Sequence, residues 1–180
     1  MKTSRLALWS LVSVAAMWGV AFVVMKPAIE QQPFFDFLAI RFTIAAGIML
    51  VIRPKVVLAL KGKMLAVGAV LGVVLGLAYV TQTIALEMTT AAITGFITGL
   101  YVVLTPIFGW IIFRKKAGKR LIIGVALATV ALGLISINGV NFEVGQLWVV
   151  LCAFLFAAHI VGLSIWSPGK DVYALTVMQL

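Results

Sequence analysis

Six apolar runs of membrane-crossing length recur along the chain, each closed by a short polar or basic stretch. They are Leu6–Met25, Phe34–Ile52, Met64–Leu86, Ala91–Phe113, Leu121–Ile137 and Gln146–Trp166, and a seventh begins near Val172 and reaches the last residue, Leu180. At a rise of about 1.5 Å per residue, roughly 20 helical residues cross the roughly 30 Å hydrocarbon core of a bilayer. Backbone groups in hydrocarbon must pair internally, which leaves helices or closed barrels, and the period-2 alternation of a barrel strand is absent. The pattern predicts an all-α polytopic membrane protein, a helical bundle with six complete spans and part of a seventh. Composition supports this, since 64% of the residues are hydrophobic and 11% charged, against about 45–50% and 25% in soluble domains. The start, Met1-Lys2-Thr3-Ser4-Arg5, imitates a secretory signal, but the run after it is too long and lacks an A-x-A cleavage site, so a retained helix is expected.

A net charge of +9 would suggest a nucleic-acid partner in a soluble chain. Here the basic residues fall in alternate gaps between spans. Lys2 and Arg5 precede the first. Arg53, Lys55, Lys61 and Lys63 lie between the second and third. Arg114, Lys115, Lys116, Lys119 and Arg120 lie between the fourth and fifth, and Lys170 follows the sixth. The other gaps hold only Lys26, and four of the five acids (Glu30, Asp36, Glu87, Glu143) lie on or near that side. The positive-inside rule then predicts a cytoplasmic N-terminus. The expected location is a bacterial cell (inner) membrane, and the expected partners are the lipid bilayer and a small-molecule substrate rather than nucleic acid.

The chain offers little for catalysis. It has one cysteine (Cys152), one histidine (His159), no paired carboxylates, no metal-ligand spacing and no phosphate loop, so neither an enzyme nor a cofactor is expected. What stands out is Arg41 inside the second run. It is read either as an anchor snorkelling toward Asp36 or Glu30, or as a guanidinium in an aqueous cavity that binds an anionic group or fixes a gate. The fourth run carries Thr94, Thr98, Tyr101 and Thr105 at steps that share one helical face. Pro106 is expected to bend that helix by freeing the Val102 carbonyl. Tyr79, Gln82 and Thr83 share a face of the third run, and Trp18 and Phe22 a face of the first. Together these residues suit a cavity for a small amphipathic solute, lined by the first, third, fourth and sixth helices. The hydroxyl and amide groups equally suit plain interhelical hydrogen bonding. Trp18, Arg41, Tyr79, Gln82, Tyr101 and Thr105 are therefore the candidate substrate-binding residues.

Gly68, Gly72 and Gly76, with Gly95 and Gly99, form small faces that favour internal packing and also allow a homodimer. His159 reads as a hydrogen-bonded packing residue. A shift of 138 residues lays the first two spans on the sixth and seventh without a gap: Trp18 falls on Phe156, Pro33 on Asp171 and Arg41 on Gln179. A five-helix repeat is odd-numbered, so its second copy is inverted, as in many secondary transporters.

The chain resembles the EamA family of the drug/metabolite transporter superfamily. The resemblance rests on Trp18-Gly19-x-x-Phe22, on Pro33 leading to Arg41-Phe42, on Tyr79-x-x-Gln82-x-x-Ala85-Leu86, and on Thr90-Ala91. It continues through Leu100-Tyr101-x-x-Leu104-Thr105-Pro106, the basic Arg114-Lys115-Lys116, Gly124 and Gly133-x-x-x-Ile137. It implies a 5+5 inverted-repeat transporter with ten helices, moving small metabolites or drugs by alternating access. Residues 1–138 would form the first repeat and 139–180 the start of the second, with helix 7 cut at Leu180. A fragment of a longer protein is thus expected, and the rival expectation is a non-transporting scaffold or an inactive truncated product.

Overall fold

The computed structural model describes residues 2–113, 118–136 and 144–180, and among them every regular element is helical. Helix α1 covers Lys2–Gln31 and α2 Phe34–Ile52, and a 3₁₀ turn over Pro54–Ala59 leads to α3, Lys63–Met88. Then follow α4 (Ala91–Thr98), α5 (Tyr101–Phe113), α6 (Lys119–Ser136), α7 (Val144–Trp166) and α8 (Val172–Gln179). Five helical segments among the described residues are long and apolar enough to cross a membrane: Ala7–Gln31, Phe34–Ile52, Lys63–Met88, Ala91–Phe113 and Val144–Trp166. The protein is a multi-pass membrane protein. The run expected over Leu121–Ile137 coincides with the 18-residue α6, and Ile137, like the basic stretch at Arg114–Lys116, lies outside the described residues. Large apolar side chains on the outer faces, such as Met17 at 70% and Val51 at 83% exposure, give the bundle the surface that lipid requires.

Two boundaries differ from those the apolar runs suggest. Helix α1 does not stop at Met25 but runs on through Pro27 to Gln31. A charge ends an apolar run without ending a helix. The Lys26 ammonium reaches across to donate to the Leu86 carbonyl at 2.7 Å and the Glu87 carbonyl at 3.1 Å, capping the C-terminal end of α3. Glu30, one turn further on, lies 3.6 Å from it.

The second difference lies in the fourth run, which divides at Gly99-Leu100, ahead of the Pro106 that lies inside α5. The amides of Leu100, Val102 and Val103 bond to carbonyls three residues back, at 3.0, 3.1 and 2.9 Å, a tightened turn of 3₁₀ type. Pro106 sits inside α5, and its missing donor and crowding ring strain the turns before it. The helix gives at Gly99, where no side chain holds the α-helical path.

The core lies between α3 and α7. Ala78, Ala85, Cys152, Ala153 and Ala157 are fully buried there, and side chains this small let two backbones approach closely. Phe156 completes this layer with Ala78 and Cys152. Helix α8 packs on the glycine face of α3: a Cβ at Gly68 would lie 2.5 Å from Met178 Cγ, and one at Gly72 3.1 Å from Gln179 Cα. That face serves packing within the chain. His159 Nε2 shares a 2.6 Å hydrogen bond with Gln179 Oε1, tying α7 to α8. At the start of α8, the Asp171 carboxylate accepts the Ala174 amide and pairs with Arg53 at 2.8 Å. The Tyr173 hydroxyl donates to the Met49 carbonyl at 2.6 Å, so α8 is fastened to the end of α2.

Candidate solute cavity

Three helices meet around one concavity. Helix α1 presents Trp18, Ala21, Phe22 and Met25, whose spacing of three and four residues keeps them on one face. Helix α2 contributes Arg41, and α3 contributes Tyr79 and Gln82. The cavity measures about 240 Å³ out to its open mouth. Arg41 is seven residues from the start of α2, so its Cα lies about 10 Å along the helix axis.

The walls are aromatic and interlocked. Tyr79 meets Phe42 edge-on with ring centroids 5.1 Å apart, and meets Phe156 edge-on at 5.3 Å. Trp18 packs against the same Phe156 at 5.7 Å. Phe156 thus backs the cavity from α7, anchored in the α3–α7 core. These offset and edge-on contacts follow the ring quadrupoles and fix the orientation of each wall.

Arg41 supplies the formal charge among the lining residues. Its guanidinium lies over the Tyr79 ring at 5.1 Å and the Phe42 ring at 5.9 Å, and one N–H points at Met25 Sδ at 3.3 Å. Among the described residues no ion pair involves Arg41; Glu30 pairs with Lys26 instead. The guanidinium therefore faces the cavity rather than snorkelling to an acid. Gln82 is 2% exposed and donates through Nε2 to Thr98 Oγ1 at 3.4 Å, so the hydroxyl stripe of α4 positions this amide.

The structure brings Trp18, Arg41, Tyr79 and Gln82 together. Tyr101 and Thr105 are not among the residues lining this cavity. Tyr101 stands behind Phe156, ring centroids 6.1 Å apart. Thr105 donates its hydroxyl to the Tyr101 carbonyl at 2.6 Å, a local back-bond within α5. Thr94 likewise pairs with the Thr89 hydroxyl at 2.7 Å, holding the short link between α3 and α4. Of the expected walls, the first and third spans (α1 and α3) line the cavity and the sixth (α7) backs it through Phe156, while α2 stands where the fourth span was expected. Sequence reasoning missed Met25, although it follows Trp18 by seven residues and Phe22 by three and so shares their face. It also left Phe156 without a role, although the 138-residue shift lays it on Trp18.

Residues 5–137 match the model of the EamA-like transporter family. The chain belongs to that family. All four of the gathered candidates, Trp18, Arg41, Tyr79 and Gln82, fall inside the EamA-matched region, whereas Phe156 lies beyond it. The chain is also similar to an uncharacterized transporter of Archaeoglobus fulgidus, 37% identical over 167 residues, which is 92% of this chain and 51% of that protein. The chain thus spans about half the length of the curated relative it matches. No solved structure matches it.

Proposed function

We propose that this EamA-like protein moves a small organic metabolite or drug across a bacterial inner membrane, as an exporter or facilitator working by alternating access. The observation that carries the reading is the Arg41 cavity itself: a charged, aromatic-walled space in a membrane bundle, with its charge unmatched by any acid among the described residues. An intramembrane cation is costly and marks solute pathways more often than packing. In this reading the N-terminus is cytoplasmic, and α6 spans the membrane with the other long helices.

The working unit is a 5+5 inverted repeat, with residues 1–138 as the first copy and 139–180 opening the second. Support comes from Trp18 and Phe156, which are equivalent under the 138-residue shift and pack ring against ring at 5.7 Å. Residues near a two-fold axis meet their own equivalents in this way. The solute would bind between the copies, held by Arg41, Trp18, Tyr79 and Gln82, with Tyr101 supporting the wall and Thr105 shaping the helix behind it.

Counterflow into proteoliposomes tests this. A labelled panel of neutral, cationic and anionic amino acids and carboxylic acids should include compounds that enter above the level of empty vesicles. Trp18→Ala and Tyr79→Ala should each bring that flux to background. Full flux in both variants would sink the assignment of the cavity.

A further inference from the structure

We infer that the cavity takes a small organic monoanion, a carboxylate on an aromatic or branched apolar body, with Arg41 as its counter-ion. This rests on the cavity being the solute site, as proposed above, and adds the class of solute.

Charge balance favours an anion. A guanidinium carries five N–H donors, and those of Arg41 meet a thioether sulfur, which is a weak acceptor, and two ring faces. Ring faces and sulfur offset part of the cost of a cation in a membrane but fill no fork of donors. Of the two acids that the sequence offers as partners, Glu30 is held by Lys26 and Asp36 forms no ion pair with Arg41. A carboxylate entering the cavity satisfies two parallel N–H groups and cancels the charge in one step.

Stoichiometry favours a single charge. One guanidinium matches one negative charge. A phosphate dianion would carry a net charge into a space walled by Trp18, Phe22, Met25 and Tyr79, where it is poorly solvated. A cation would meet Arg41 directly and be repelled.

The walls point the same way. Flat aromatic walls and Met25, which adapts to irregular surfaces, suit an apolar body. Gln82 adds one neutral polar group, oriented by Thr98.

The test is equilibrium binding to the purified protein in neutral maltoside detergent. It uses three probes of one shape: 3-phenylpropionate, 3-phenylpropionamide and 3-phenylpropylamine. The acid should bind at least about tenfold tighter than the amide, the margin expected of charge-assisted hydrogen bonds, and the amine should not bind measurably. In Arg41→Gln the acid should lose its advantage and bind no more tightly than the amide. In Arg41→Lys some preference for the acid should persist. Equal binding of acid and amide by the parent, or an acid preference that survives Arg41→Gln, overturns the inference while leaving a solute cavity in place. Binding of phosphatidylglycerol that the acid cannot displace also overturns it, since the anion would then be a lipid headgroup. Failure of all three probes to bind overturns the solute-site reading on which the inference stands.

Discussion

Lys26 is the strongest test of how the walls of the cavity are held. Two roles for it lead to different numbers. As a partner of Glu30 it forms an i,i+4 pair on a helix surface, with Glu30 mostly exposed, and such pairs contribute about 0.3–0.5 kcal/mol. As a cap it gives two charge-assisted hydrogen bonds to Leu86 and Glu87 carbonyls that have no partner within α3. Each such bond is worth about 1.5–3 kcal/mol net when shielded from water. The Lys26 side chain is 27% exposed and water can reach part of the site, so a loss of about 1.5–3 kcal/mol for the pair is the reasonable expectation. Lys26→Met keeps the apolar stem and removes both bonds, whereas Glu30→Gln removes only the ion pair. Unfolding by sodium dodecyl sulfate in mixed micelles, followed by tryptophan fluorescence, measures both. The cap predicts a clear loss for Lys26→Met and a change under about 0.5 kcal/mol for Glu30→Gln. Equal small effects in the two variants would refute the cap, and with it the claim that Lys26 holds α1 against the end of α3.

Three further outcomes can be read with the same apparatus. The Ala174 amide, with Arg53 beside it, holds the Asp171 carboxyl below the usual carboxylate range. This group therefore stabilises the fold above the unfolded value near 3.9 and ceases to do so as pH falls through its folded value. Unfolding midpoints taken between pH 7 and pH 3 should fall more for the parent than for Asp171→Asn, which keeps a capping side chain but cannot titrate. Gly145→Ala places a Cβ 2.5 Å from Thr89 Cγ2 and 2.8 Å from Met88 Cβ. Thr89 is pinned by bonds to Ala85 and Thr94, so a loss of about 1–3 kcal/mol is expected, and an unchanged midpoint would mean that α7 shifts freely at its start. Thr105→Val removes a back-bond and no cavity wall, so stability should change by less than about 1 kcal/mol and binding of 3-phenylpropionate should be unaltered.

Much of the bundle was legible because lipid leaves few options. Once a run of this length is apolar, a helix is the way to pair its backbone, and the family pattern then set the order of the spans. The errors arose where a one-dimensional property stood in for a three-dimensional one. The α1 boundary was misplaced because Lys26 looked like the end of hydrophobicity, whereas its partners lie on another helix, 60 residues on. The turn at Gly99-Leu100 went unmarked because a glycine does not interrupt an apolar run, whereas Pro106 drew notice as the obvious breaker. The candidate cavity was legible in part: Trp18, Tyr79 and Gln82 were marked by chemistry unusual for a lipid-facing surface, and Arg41 by its charge. Tyr101 and Thr105 share a helical face with Thr98, yet sharing a face with the residue that orients Gln82 does not bring them to the cavity. Helical periodicity fixes which residues point together and leaves open what they point at.

The cavity lies on a seam between unequally packed parts. On one side, α3 and α7 are joined through a row of fully buried small residues, with α8 seated in the α3 glycines. On the other, residues 7–17 of α1 are exposed throughout, and Leu38 is the buried residue of α2. Several of the links across the seam are directional: Lys26 on the α3 carbonyls, Arg41 over Tyr79, and Trp18 against Phe156. Displacing α1 and α2 would thus break a few contacts at each end of the cavity, while separating α3 from α7 would expose a continuous core. Regions held by few buried contacts open at lower free energy than those held by many. An anion bound to Arg41 competes with the Tyr79 ring and Met25 for the guanidinium, so it acts on the weaker side of the seam. For the alternating access proposed above, this makes α1 and α2 the elements whose position a solute can bias, because a ligand shifts a conformational equilibrium only through contacts that differ between its states.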